Sequence, residues 1–200
     1  MDQTANKLDV SYQGLESLDL SSYPDLEELA CEGNEIETLD LSHTPKLIVL
    51  FCENNNINSL NLSNNPELEY LWCSQNNLVE LDLSNLSKLK QLVCWGNDLA
   101  RLDLTYAPQL RELDCRNNQM KTLNFPHNMD LTKLHCSKNE LEVIDLSKLP
   151  KLIELDCADN KLTELNLAEK KDLLWLSCKN NNLATLDFSH CPKLKTIHQY

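Results

Sequence analysis

Residues 26–46 read LEELACEGNEIETLDLSHTPK, and the same phrase returns every 21 residues along almost the whole chain. Its cysteine recurs at intervals of 21 residues, and so does the asparagine three residues later. The cysteines are Cys31, Cys52, Cys73, Cys94, Cys115, Cys136, Cys157 and Cys178. The asparagines are Asn34, Asn55, Asn76, Asn97, Asn118, Asn139, Asn160 and Asn181. A repeat of this length is typical of a solenoid, in which each unit stacks on its neighbours.

Each unit has two halves, LxxLxCxxNx and LxxLDLSxxPx. In both halves the apolar residues follow at a spacing of three and then of two. A spacing of two predicts an extended strand with both apolar side chains pointing inward, and neither half leaves a helix-length stretch at a period of 3.6. We therefore predict two extended segments per turn, on opposite sides of a narrow coil, stacked in parallel ladders about 4.7–4.9 Å apart.

The repeat also sets the domain organisation. We interpret residues 1–7 as a polar lead-in and residues 8–200 as a single domain of nine 21-residue repeats plus a partial terminal strand. The first repeat, residues 8–28, is degenerate, because Val10 stands in the cysteine position and Gln13 in the asparagine position. Degenerate terminal repeats are common in solenoids.

The segment LxxLxCxxNxL resembles the defining LxxLxLxxN/CxL motif of the leucine-rich repeat family, and the resemblance extends from Leu8 to Tyr200. The 21-residue unit with nested halves of ten and eleven is similar to the bacterial class called IRREKO repeats. The resemblance implies a right-handed parallel β superhelix, mostly strand and turn with little or no helix, whose first-half strands line a concave sheet. It also implies a bacterial interaction protein, secreted or directed at a host.

Composition narrows the partners. The formal net charge of −13 argues against nucleic acid and against anionic membranes, because both attract clustered lysine and arginine. No apolar run approaches the roughly 18 residues of a membrane span. The start, MDQTANKLDV, has neither a basic nor an apolar signal region, which predicts a cytoplasmic protein or one exported without a Sec signal. No cofactor is expected.

Three columns of recurring residues, of asparagine, of cysteine and of aspartate or asparagine, invite functional interpretations, and we favour structural ones. A buried asparagine amide can bond its own turn and the next one. We predict that the cysteines are buried thiols. Four of them would span about 14 Å, too far for zinc, and parallel side chains do not favour disulfides. Cys191, off this column and in a turn, is the thiol expected to be most accessible. The third column is predicted to bond its own turns rather than calcium; it comprises Asp19, Asp40, Asn61, Asp82, Asp103, Asn124, Asp145, Asn166 and Asp187.

The outward positions of the first-half strands are free of the consensus and are where a binding face can be encoded. Three adjacent turns place apolar and aromatic side chains there, and we name these the aromatic patch: Val49, Phe51, Tyr70, Trp72, Val93 and Trp95. The inward positions are already taken by leucine and cysteine, so we expect the patch to be exposed. Exposed apolar surface of this kind marks interaction sites, and tryptophan and tyrosine dominate binding hot spots.

A polar region follows the patch, and we name it the charged zone: Glu112, Asp114, Arg116, His135, Glu154 and Asp156. It is suited to the polar rim of an interface, and Trp175 lies on the same face. A hydrolytic role is disfavoured because Asp156 separates Ser177 from His135 in the column. A loose metal site of two acids and a histidine is disfavoured too.

We therefore predict a non-enzymatic module that binds another protein on its concave face. A glycan-binding module is the alternative, because aromatic platforms beside acids also suit sugars. A repeat segment of a larger protein, or a scaffold that stacks through uncapped ends, is a further alternative.

Overall fold

The structure is a computed structural model that describes residues 6–199. It contains ten short strands in one parallel sheet, in the order in which they occur along the chain. The strands are β1 (Lys7–Asp9), β2 (Glu28–Ala30), β3 (Val49–Phe51), β4 (Tyr70–Trp72), β5 (Gln91–Val93), β6 (Glu112–Asp114), β7 (Lys133–His135), β8 (Glu154–Asp156), β9 (Trp175–Ser177) and β10 (Thr196–His198). Residues 6–199 contain no helix. The predicted parallel β-solenoid is confirmed.

Register is fixed by the repeat, because each residue of a strand pairs with the residue 21 positions further on. Leu29 pairs with Leu50, and Leu50 with Leu71. The central leucine of each of these strands points inward and is fully buried, as is the cysteine two positions later. The residues on either side of the central leucine face out and are partly exposed. One slip of register would reverse this alternation, so burial of the leucines holds the strands in place.

The predicted second ladder is wrong. No strand forms in the second halves of the repeats within residues 6–199. Backbone groups there are satisfied inside their own turn instead: the Thr44 N–H donates to the Leu41 carbonyl and the Leu47 N–H to the Thr44 carbonyl, at 3.2 and 3.1 Å. The carboxylate of Asp40 also accepts the backbone N–H of Ser42 at 2.9 Å. With these groups bonded locally, the second halves form no backbone ladder between turns within residues 6–199. The backbone bonds that they make between turns are single ones, such as that from the Asn56 N–H to the Ile36 carbonyl at 2.9 Å.

The Asp/Asn column acts as predicted, by closing turns. Its side chains accept the backbone N–H two residues further on, at 2.8–3.0 Å. Asn124 is the exception, because Pro126 at the receiving position has no N–H. Hydrogen bonds from the side chain and the backbone of Ser42 lower the pKa of Asp40. Those from the backbone and the side chain of Ser147 lower the pKa of Asp145.

The asparagine column is structural, as predicted, and its members are buried except Asn181, which is partly exposed. The Asn118 amide nitrogen donates to the carbonyls of Cys115 in its own turn and Cys94 in the preceding turn, both at 3.1 Å. Its oxygen accepts the Leu99 N–H at 3.0 Å. The bond to a neighbouring turn therefore runs to the preceding one, not to the next one as we expected. Each amide joins two turns at the point where the backbone leaves the sheet.

All nine cysteines are buried free thiols. Burial raises the pKa of the Cys31 and Cys73 thiols to about 12, so they stay protonated. The prediction that Cys191 is accessible is wrong: it is 5% exposed. It precedes a turn proline, and the position before that proline points inward, where Leu149 and Lys170 are also buried. The Lys170 ammonium donates to the Ala168 carbonyl at 3.1 Å, and burial lowers its pKa.

In each of nine turns, the residue two positions after the cysteine position adopts a left-handed backbone conformation. In nine successive turns these residues are Tyr12, Gly33, Asn54, Gln75, Gly96, Asn117, Lys138, Asp159 and Asn180, with φ between 51° and 69°. Glycine and asparagine tolerate this conformation and other residues are strained in it. Nothing in the described part of the chain is a helix long and apolar enough to cross a membrane.

Candidate functional site

The outward side chains of the strands, with the residue two positions after each strand, form one continuous surface that we call the strand face. The aromatic patch lies on it across β3, β4 and β5. Register sets Val49 beside Tyr70 and Phe51 beside Trp72. The Phe51 and Trp72 rings have centroids 4.8 Å apart and are tilted by 58°. The structure therefore brings the predicted patch residues together.

The patch is partly rather than fully exposed. All six of its side chains have intermediate exposure. Neighbouring rings cover one another because strands in one sheet lie about 4.7–4.9 Å apart, closer than the width of an indole. The patch is thus a packed, half-exposed apolar platform, where we expected freely exposed side chains.

Side chains of the charged zone form ion pairs and hydrogen bonds with one another and with neighbouring residues of the same chain. Two nitrogens of Arg116 bond the carboxylate of Asp114, at 2.8 and 2.5 Å. The Ser137 hydroxyl donates to Asp156 at 2.7 Å, and His135 faces Glu154 at 3.7 Å. Residues 6–199 hold no group of three or more histidine, cysteine, aspartate or glutamate side chains placed to bind a metal.

Trp175 does not join the aromatic patch. It lies on β9, with its ring centroid 6.2 Å from that of His135 and 5.9 Å from that of His198. These edge and tilted contacts make a second, smaller aromatic cluster near the last strands. The predicted site residues therefore fall into two clusters on one face, with the charged zone between them.

Two carboxylates beside the aromatic patch were not among the predicted site residues. Glu32 and Glu53, which we call the acid pair, occupy the same position in consecutive turns, two residues after β2 and β3. Each has one carboxylate oxygen that is sealed from solvent and has no hydrogen-bond partner in the described part of the chain. Burial, reinforced by the charge of Glu32, raises the pKa of Glu53 to about 7.

Two further polar atoms around the acid pair are also without partners among residues 6–199. One is the hydroxyl of Ser74, which follows Glu53 in the same column and is 1% exposed. The other is the indole nitrogen of Trp72. Unsatisfied buried polar groups are uncommon and call for an explanation. This cluster coincides with the ring contact of Phe51 and Trp72.

The other acids of the strand face differ from the acid pair. Each acid in a strand or directly before one has a side-chain partner. The pairs are Asp9 with Ser11, Glu27 with Asn6, Glu28 with Lys7, Glu69 with Lys90, Glu112 with Lys133, Asp114 with Arg116, Glu154 with His135, and Asp156 with Ser137. The sequence itself indicates why Glu32 and Glu53 lack such partners. Glu32 and Glu53 are consecutive in one column, and no lysine or arginine occupies the outward positions of β2, β3 and β4.

A depression with a volume of about 770 Å³ lies on the second-half segments instead. Asp82, Asp103 and Asn124 line it beside Pro126. Its aspartates already accept backbone N–H groups from Ser84 and Thr105. It contains none of the buried polar atoms that lack a partner, so the strand face is the stronger candidate.

Solved structures similar to this chain share its fold. The functional domain of InlJ from Listeria monocytogenes, which includes a cysteine ladder, is 37% identical with a TM-score of 0.95, over 97% of this chain and 43% of that one. The LRIM1/APL1C complex contains a chain 25% identical with a TM-score of 0.78, over 98% of this chain and 43% of that one. TLR13, solved with ssRNA13, is 23% identical with a TM-score of 0.77, over 96% of this chain and 32% of that one.

The chain spans less than half the length of the InlJ chain that it matches. No protein-family model matches the sequence, and no curated protein matches it either. The likeness to InlJ nevertheless extends over nearly all of this chain, in both sequence and backbone fold. Both proteins also carry a cysteine ladder. The chain has the fold of a leucine-rich repeat solenoid, is built of 21-residue units and is similar to InlJ in sequence and fold.

Proposed function

We propose that this chain is a non-enzymatic module that binds another protein on its strand face, with Phe51, Tyr70, Trp72 and Trp95 as anchors. The observation that carries the proposal is the contact of Phe51 with Trp72 inside a half-exposed apolar platform. The core does not need this platform, because leucine and cysteine already fill the interior beneath it. Large, partly exposed aromatic side chains contribute binding free energy when a partner covers them.

Several residues outside the patch complete the proposed interface. The charged zone would form its polar rim, since paired charges at the edge of an interface set orientation more than affinity. Trp175 would contact the same partner beyond the zone. The LRIM1/APL1C complex is an example of a protein assembly that includes this fold. The bacterial origin and the host-directed role also belong to the proposal. The origin is supported by the likeness to InlJ from Listeria monocytogenes, and the host-directed role by the resemblance of the repeat to bacterial leucine-rich repeats.

The proposal excludes nucleic acid as a partner because of the charge of this chain, not because of its fold. TLR13 shares the fold and was solved with ssRNA13. This chain, however, has a formal net charge of −13, and phosphate backbones are bound by clustered cations.

An affinity capture with mass spectrometry tests the proposal. Wild type is compared with the double variant Trp72→Ser/Trp95→Ser, after circular dichroism shows that the two melt alike. The matched control is Val79→Ser/Tyr106→Ser, which removes two exposed apolar side chains from the second halves. We expect a partner protein to be retained by wild type and control and lost by the double variant.

A partner retained equally by all three proteins would overturn the anchor assignment. A glycan array run beside the capture separates the other class of ligand: specific glycan binding that the double variant loses, without a captured protein, would replace the proposal by a glycan-binding one. Capture of further copies of the same chain would replace it by self-association.

A further inference from the structure

We propose that the acid pair receives an arginine side chain of the partner protein, whose guanidinium spans the carboxylates of Glu32 and Glu53 beside the rings of Phe51 and Trp72. The inference rests on the proposed function and names the chemistry of the partner's contact. It places the arginine at the amino-terminal edge of the aromatic patch, where β2, β3 and β4 adjoin.

The first argument is charge complementarity. The remaining acids of the strand face have side-chain partners within their own chain, whereas each member of the acid pair has an enclosed carboxylate oxygen with no partner among residues 6–199. Two carboxylates in successive turns repel one another, and burial of one oxygen from each adds to the free-energy cost. A cation held against both carboxylates offsets that cost.

The second argument concerns which cation fits. The two positions are one strand spacing apart, about 4.8 Å, so a planar group with donors along its edges can address both carboxylates at once. Guanidinium has five such donors, is weakly hydrated and stacks on aromatic rings, while ammonium is a compact and strongly hydrated point charge. An inorganic calcium ion would need six to eight oxygen ligands, more than this cluster supplies.

The third argument points to a peptide rather than a free cation. The indole N–H of Trp72 is a donor without an acceptor among residues 6–199. A backbone carbonyl next to the incoming arginine would supply one once the indole, whose nitrogen is enclosed in this structure, turns towards the partner. Ser74, buried in the column beyond Glu53, closes that side of the cluster with a hydroxyl that also has no partner in the described part of the chain.

The acid pair is within reach of a partner. Glu32 and Glu53 have intermediate exposure, so their side chains reach the surface although one oxygen of each is enclosed. Glutamate has three rotatable bonds, and small changes of rotamer turn the carboxylates towards a bound cation.

A selection from a random dodecapeptide phage library tests the inference. Wild type is the bait, and individual clones are then measured against Glu32→Gln/Glu53→Gln. The matched control, Glu37→Gln/Glu80→Gln, removes the same charge from exposed glutamates away from the strands. We expect arginine-enriched clones that bind wild type about tenfold or more tightly than the acid-pair variant, and the control variant within about twofold of wild type.

Several outcomes would overturn the inference. Clones without enrichment of arginine, clones in which lysine replaces arginine without loss, or clones that bind the acid-pair variant as well as wild type would each do so. Clones lost by Trp72→Ser/Trp95→Ser but kept by the acid-pair variant would overturn the arginine receptor and leave the proposed function standing. A selection with no clone specific for wild type would count against both.

Discussion

Asn118 shows how much one side chain of the asparagine column holds together. Its amide bonds carbonyls of two turns and a backbone N–H in a buried setting. Replacing it by alanine leaves the Leu99 N–H enclosed without an acceptor. The Cys94 and Cys115 carbonyls each lose one donor but keep another, from Asn97 and Asn139. We expect Asn118→Ala to lower the free energy of unfolding by about 2 kcal/mol, since an enclosed N–H without an acceptor costs roughly 1–3 kcal/mol.

Chemical denaturation measures this effect, and Asn85→Ala is the control. Asn85 is exposed on a second half, so its loss should change stability by less than about 0.5 kcal/mol. Equal losses for the two variants would contradict the view that the asparagine column is structural.

Glu53 gives the protein a pH dependence with an unusual sign for a carboxylate. Its pKa is about 7 in the fold against an ordinary value of 4.5. Between these values the folded state binds more protons than the unfolded state, so this group's contribution to stability falls as pH rises from about 4.5 to about 7. The titratable groups around it are Glu32 and the thiols of Cys31, Cys52 and Cys73, and these thiols stay protonated in this range.

We therefore expect Glu53→Gln to stabilise the protein at pH 8 and to have little effect at pH 4. The gain at pH 8 should be on the order of 1–2 kcal/mol, after allowance for solvent screening of a partly exposed side chain. Thermal melts at the two pH values measure it, with the exposed Glu37→Gln as control. A gain of the same size at both pH values would show that packing rather than charge is responsible.

The tight turn after each strand depends on a residue with positive φ. Lys138 adopts φ 54° where other turns have glycine or asparagine. Glycine carries no steric penalty there, so we expect Lys138→Gly to raise the free energy of unfolding by about 0.5–1 kcal/mol.

The control for Lys138→Gly is Lys121→Gly, at an exposed position without positive φ. There the greater freedom of glycine in the unfolded chain should destabilise the protein by a similar amount. Denaturant midpoints of the two variants should therefore move in opposite directions. Midpoints that fall in both variants would contradict strain at Lys138.

The strand of each turn could be predicted from the sequence, because its leucine and cysteine lie two residues apart and only an extended segment points both of them inward. The second halves carry a similar pattern, yet they form no strand in the described residues. Spacing reports which side chains point inward. It does not report whether backbone groups bond within a turn, as at Asp40 and Ser42, or between turns.

The left-handed column has a signal in the sequence, but an incomplete one. Gly33, Asn54, Gly96, Asn117 and Asn180 occur at one position of the repeat and are the residue types that accept positive φ. The signal is hidden because Gln75, Lys138 and Asp159 fill the same column. The error at Cys191 has a related cause: a turn is usually exposed, although in this one the residue before proline points inward.

The solenoid as a whole could be predicted from the 21-residue repeat, whereas the candidate site on the strand face could be predicted only in part. Columns on the strand face could be read directly from the sequence, because register is the repeat itself. Which side chains on that face satisfy one another could not, since pairing depends on rotamers and on distances across turns. The pairing of Asp114 with Arg116 emerges only from the three-dimensional structure. For Glu32 and Glu53 the sequence shows that no lysine or arginine occupies the outward positions of β2, β3 and β4, but the enclosed oxygen of each carboxylate is seen only in the structure.

Because each strand pairs only with the strands of the adjacent turns, the molecule should behave under load like a coil that unwinds from one end. Pulling on a terminus stresses a single turn, while the rest of the stack carries no extra strain. Each rupture would free 21 residues, or about 70 Å of contour length. Optical tweezers should record a series of equal steps of that size, and one large step for the whole chain would show that the turns yield together.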